Sequence, residues 1–263
     1  GIASIGEGNT STGLGAQSRD DLMRWLNSSP MVTEFEEEFQ GNLAAVTARF
    51  TALSSIAGVS LMTVTLDAGS ASQEYLGALN LSSSHATVAS SAGYILGAAE
   101  TERNFNWGSF RYLCAIVRLN SNATRVRTAF GIGLLSSFAG YAAAGSPGLL
   151  GSTTDGIFWG YDTGASAGAW VSGIRTGGAT GSTASAETAT VNNRYQLEIF
   201  KTSTGDLYYY INGTLVRTDA TNSLTSGSVN FYINIRGETN TGNRDIGLDY
   251  LKIVSQPPNN RFT

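Results

Sequence analysis

Lysine is almost missing from this chain; Lys201 and Lys252 are its only two. Charged residues make up 14% of 263, against roughly a quarter in an average soluble protein. With a net charge of −4 and no basic stripe, the sequence lacks the electrostatic footprint of a nucleic-acid binder and predicts no nucleic-acid partner. A single cysteine, Cys114, excludes an internal disulfide, so the core must hold the fold. It lies in the apolar run Tyr112 to Val117 and is expected as a small buried hydrophobe. A single histidine, His85, leaves a His-based triad or a His-containing zinc site without a second candidate. No apolar run approaches the roughly 18 residues of a membrane span, so no membrane partner is predicted. The opening Gly1-Ile2-Ala3-Ser4 has no basic segment leading into an apolar one, which predicts no signal peptide.

What is present points to strands. Hydrophobic residues reach 41% and aromatics 10%, enough for a sizeable core. Glycine contributes 32 residues, with Ser, Thr, Asn and Ala filling much of the remainder. These are turn and sheet-surface residues rather than helix-surface residues.

Along the chain, residues 1–18 form an almost uncharged Gly/Ser/Thr/Asn string, too polar to fold except against a partner or the domain's own flank. Ser18 to Asn27 predicts a helix, with Ser18 as N-cap, Asp20 and Asp21 in the first turn, and Leu22, Trp25 and Leu26 as one apolar stripe. That stripe either docks on its own domain or is a candidate assembly contact. From Val32 the period becomes two, with Val32, Glu34, Glu36 and Glu38 on one side and Thr33, Phe35, Glu37 and Phe39 on the other. Further strands are expected at 59–66, 75–81, 87–96, 111–119, 126–135, 157–161, 169–175 and 187–191, with a loop at 136–154 and a small-residue stretch at 176–186. Tyr195, Leu197 and Ile199 alternate; Thr204-Gly205-Asp206 and Asn212-Gly213 predict tight turns; Val229, Phe231, Ile233 and Ile235 alternate again. A final strand covers 246–254. The expected fold is all-β, a two-sheet antiparallel sandwich. Its expected divisions are an arm and helix over 1–31, the sandwich over 32–256 and a tail over 257–263.

The segments Tyr195-Gln196-Leu197-Glu198-Ile199, Tyr210-Ile211-Asn212-Gly213-Thr214-Leu215-Val216 and Ile246-Gly247-Leu248-Asp249-Tyr250-Leu251-Lys252-Ile253 resemble the back half of concanavalin A-like, laminin G-like jelly rolls. An early strand such as Glu34 to Phe39 suits that superfamily, in which first and last strands pair. The resemblance implies a jelly roll. It is shared by lectins, polysaccharide hydrolases and lyases, and bacteriophage virion proteins, whose Gly/Ser/Thr-rich, Lys-poor texture this chain is similar to.

No catalytic residue is assigned. Glu34, Glu36 and Glu38, spaced roughly 7 Å along one strand face, are the best carboxylate constellation for glycoside hydrolysis. They lack the Glu-x-Asp-x-x-Glu pattern of laminarinase-type jelly rolls. The lyases of this fold use a His with a Tyr and a Gln or Arg, and His85 stands without their motifs. No cofactor or metal is predicted; Asp155, Asp162, Asp206, Asp245 and Asp249 are scattered in turns and strand ends, and Asn240 to Asp245 is a candidate calcium loop. Trp159, Tyr161 and Trp170, with Trp107, are candidate glycan or interface contacts, the alternative being core. The expectation is a non-enzymatic virion component (capsid decoration, fibre or tail appendage), assembled in the host cytoplasm as a homo-oligomer, in phage appendages often a trimer. Other virion proteins are its expected partners. The alternatives are a lectin-like module binding a surface glycan and a polysaccharide hydrolase.

Overall fold

The computed structural model describes residues 18–28, 30–38, 50–54, 62–67, 78–83, 91–96, 105–119, 126–133, 156–162, 168–176, 179–190, 193–219, 228–237 and 244–256. Helix α1 spans Arg19–Ser28. Ser18 caps it, its Oγ accepting the Asp21 amide at 3.2 Å and donating to the Asp21 carboxylate at 2.6 Å. Pro30 lies two residues past its last residue and cannot continue the helix.

Sixteen strands are described: β1 (Val32–Glu37), β2 (Phe50–Ser54), β3 (Met62–Asp67), β4 (Ala78–Ser83), β5 (Ser91–Leu96), β6 (Phe105–Asn106), β7 (Phe110–Leu119), β8 (Val126–Gly133), β9 (Gly156–Asp162), β10 (Ala169–Thr176), β11 (Ala179–Thr188), β12 (Arg194–Lys201), β13 (Leu207–Ile211), β14 (Thr214–Asp219), β15 (Ser228–Gly237) and β16 (Arg244–Ser255). They form two antiparallel sheets. The first runs β14-β13-β12-β7-β16-β4-β3, with β1 also on β16; the second runs β11-β10-β9-β8-β15-β5-β2, with β6 on β15. The first and last strands pair, as the jelly-roll resemblance implies.

The central strands are legible in their composition. β7 is apolar on both faces because both are covered. Its inward residues Leu113, Ala115 and Val117 join Leu197, Ile199, Leu251 and Ile253 from the neighbouring strands and Ile157, Trp159 and Phe231 from the second sheet in one core. The β13–β14 hairpin turns on Asn212 and Gly213, at φ 49° and 80°, the left-handed pair that an Asn-Gly sequence accepts most readily.

Three expectations are corrected. Thr33 and Phe35 flank a bulge in the β1–β16 ladder, so strict alternation does not run the length of β1. The stretch 176–186 is not a connection: Ala179–Thr188 is β11, an edge strand whose small residues carry no apolar period. Phe50–Ser54, not anticipated, is β2 at the opposite edge of that sheet.

Candidate functional site

Helix α1 lies on the face of the first sheet turned away from the core. That face carries Tyr112 and Cys114 of β7, Phe200 of β12, Tyr208 and Tyr210 of β13 and Val254 of β16. Each alternates with an inward core residue, as the strand period requires. Leu22 and Leu26 seal against them, with Met23 and Trp25 packed at the margin. Of the two readings of the stripe, docking on its own domain is the one seen: Leu22 and Leu26 are buried there, which corrects them as assembly contacts, and Trp25 is half-buried against the same patch. The stripe is used within the chain, because the outer face of the sheet is itself apolar.

A polar network pins the helix. Glu198 is fully buried on the same outer face. Arg19 grips it with both prongs, Nε to Oε2 at 2.7 Å and Nη2 to Oε1 at 2.9 Å, and the Tyr112 hydroxyl donates to Oε1 at 2.6 Å. The carboxylate beside Arg19 holds the guanidinium well above its usual range, and burial drives the Tyr112 phenol far up. Both stay protonated at any physiological pH. Sequence reasoning missed this triad, since Arg19 and Glu198 are 179 positions apart.

Beside the network a cleft of about 480 Å³ opens between α1 and the sheet. Arg19, Met23 and Asn27 form its helix wall; Tyr112, Cys114 and Gln196 its floor; Thr33, Tyr250 and Lys252 its far side. The Cys114 thiol is buried and pushed up to about 12, chiefly by desolvation and then by the nearby Glu198. It stays a thiol and is no nucleophile at neutral pH. Glu36 reaches the far side: the Tyr250 hydroxyl donates to it at 2.6 Å and Lys252 pairs with it at 3.1 Å. Those two partners hold its carboxyl below the usual range, so it makes a poor general acid. The cleft thus offers hydrogen-bonding side chains and the thioethers of Met23 and Met31, and no carboxylate lines it among the described residues.

The remaining candidates sit elsewhere. Trp159 and Trp170 are fully buried and Tyr161 is 2% exposed, all inside the core. Trp159 meets Tyr209 edge-on at 5.7 Å, and Trp170 packs between Tyr161 and Tyr195. Their expected contact with a glycan or a neighbour is corrected: the strand period turns them between the sheets, where no ligand reaches. Trp107 is buried too. Glu38 is exposed at the end of β1. The side chain of Glu34, His85, residues 1–17, the loop at 136–154 and positions 240–243 lie outside the described residues. Among the described residues no group of three His, Cys, Asp or Glu side chains could hold a metal ion, and no helix is long and apolar enough to cross a membrane.

No family model matches the chain, and no curated protein matches it. Solved structures are similar to it in fold. The carbohydrate recognition domain of Emp47p matches with a TM-score of 0.58 at 10% identity, over 87% of this chain and 98% of that one. A protein of unknown function from Shewanella oneidensis matches at 0.54 and 14% identity, over 93% and 97%. A glycoside hydrolase family 16 endo-glucanase from Bacteroides ovatus matches at 0.55 and 12%, over 83% and 99%. At these identities the likeness shows the fold alone, an antiparallel two-sheet jelly roll.

Proposed function

We propose that the chain is a non-enzymatic structural component of a bacteriophage virion, a capsid decoration, fibre or tail appendage that works by assembly. The observation that carries this reading is the fastening of α1. A bidentate ion pair with fully buried Glu198 fixes the helix to the outer face of the first sheet. Residues 1–17, by composition a string that orders only against something else, therefore join the sandwich at a rigid point. A rigid body carrying such an arm suits a module held in a particle. Its partners are copies of itself and other virion proteins. The lowered pKa of Glu36 and the burial of Glu198 under Arg19 and Tyr112 support a role without hydrolysis, because the first is a poor general acid and the second is shut off from solvent.

The test is association. The purified chain is expected to form a homo-oligomer, a trimer in the appendage reading, and to release no sugar from a panel of polysaccharides. A strict monomer that binds neither capsids nor tails removes the assembly reading. Hydrolysis abolished by Glu36→Gln or Glu38→Gln removes the non-enzymatic one. A lectin-like role in recognising a host surface glycan is the second reading, favoured by the match to a carbohydrate recognition domain. A glycan array without a hit sinks it.

A further inference from the structure

Two cations meet inside the sandwich at one end of the first sheet. The β12–β7 ladder closes with Phe200 opposite Tyr112. The next residue on β12, Lys201, continues the inward row of Ile199, and the next on β7, Arg111, sits in a bulge of the β7–β16 ladder between Tyr112 and the core residue Phe110. Lys201 is 5% exposed and Arg111 is 8% exposed. Both reach the same acceptor, the Gly108 carbonyl oxygen, Arg111 Nη1 at 2.8 Å and Lys201 Nζ at 3.4 Å, so these nitrogens are no more than about 6 Å apart. The other partners are neutral. Arg111 Nη1 also donates to the Phe110 carbonyl at 2.7 Å, its Nε to Gln256 Oε1 at 3.0 Å, and the Lys201 ammonium stands 5.1 Å over the Trp107 ring. Among the described residues no carboxylate pairs with either cation.

Buried charges are normally paired, and like charges on adjacent strands repel. Carbonyl oxygens and a ring face soften that repulsion without cancelling it. Burial lowers the Arg111 pKa; burial together with the Arg111 charge brings Lys201 down to about 8, so both remain cationic at neutral pH. The Arg111 Nη2 donates to nothing among the described residues, and Lys201 has ammonium protons beyond its one carbonyl bond. An acceptor carrying negative charge satisfies all of these at once.

We infer that the Arg111 guanidinium and the Lys201 ammonium form a binding site for one compact oxyanion, a sulfate, phosphate or carboxylate group, at this end of the first sheet beside Trp107. The site is separate from the cleft under α1 and does not depend on the virion reading. Titration calorimetry with sodium sulfate, against sodium chloride at equal ionic strength, tests it on the full chain. Saturable one-site binding is expected, weakened at least about tenfold in Lys201→Met, since each charged hydrogen bond lost is worth that much. Lys201→Arg, which keeps the charge, retains binding and guards against a folding defect in the first variant. A glucuronate arm distinguishes the source of the group: competition with sulfate shows an oxyanion borne on a sugar, and sulfate binding alone shows a free inorganic ion, each supporting the site. No saturable sulfate binding, or equal binding by wild type and Lys201→Met, overturns it.

Discussion

Trp159 shows how much a single residue's meaning depends on which face of its strand is covered. Sealed between the sheets, it acts in folding, and Trp159→Ala is expected to cost about 3–5 kcal/mol in urea unfolding, through lost contacts and a cavity. A variant that unfolds at the wild-type midpoint contradicts that burial. Alternation made β9 and β12 readable, because Ile157, Trp159 and Tyr161, or Tyr195, Leu197 and Ile199, recur every second position. It did not say which side of β9 met the other sheet, which is why the tryptophans stood as candidate contacts. Lys201 gives a pH signature of its own. Its pKa is about 8 in the folded chain against 10.5 when free. Between those values the unfolded chain holds the proton and the folded chain has released it, so this residue makes stability rise with pH across that window and stay level below it. In chloride buffer, Lys201→Met should remove a slope totalling at most about 2 kcal/mol, allowing for solvent screening. Parallel pH–stability curves for wild type and variant contradict it.

At the scale of elements, α1 is the informative part. Its cap, first-turn acids and stripe are written locally in Ser18, Asp20, Asp21, Leu22 and Leu26, so its existence was legible. Its docking was not, because the receiving face is assembled from β7, β12, β13 and β16, drawn from three distant stretches of chain. β11 stayed hidden for the opposite reason: an edge strand of Ala, Thr, Gly and Ser has no apolar period to show. The clasp on α1 is open to direct test. Arg19→Met leaves Glu198 buried with Tyr112 as its remaining partner, an arrangement expected to destabilise the helix's docking by about 3–5 kcal/mol. Cys114 reports the opening, since it lies beneath the helix and is buried when the helix is down. Its reaction with a thiol reagent should be slow in the native chain and faster in Arg19→Met at the same pH. Equal rates in the two proteins contradict the clasp.

The whole molecule joins a fold shared with carbohydrate recognition domains and glycoside hydrolases to an outer face occupied by its own helix. Fold class was legible from composition and from the hairpins between Arg194 and Ser255, because sheet periodicity and turn chemistry are local. Function was less so, because it rests on surfaces rather than strand order, and jelly rolls lend the same strand order to binding and to catalysis. The central claim is that a rigid sandwich acts through assembly, with residues 1–17 as the contact. Static light scattering on the purified chain, with and without residues 1–17, tests it most directly. The account predicts a mass near three times 27.6 kDa for the full chain and a smaller one once the arm is removed. A full-length chain that stays at 27.6 kDa across the concentration range contradicts it.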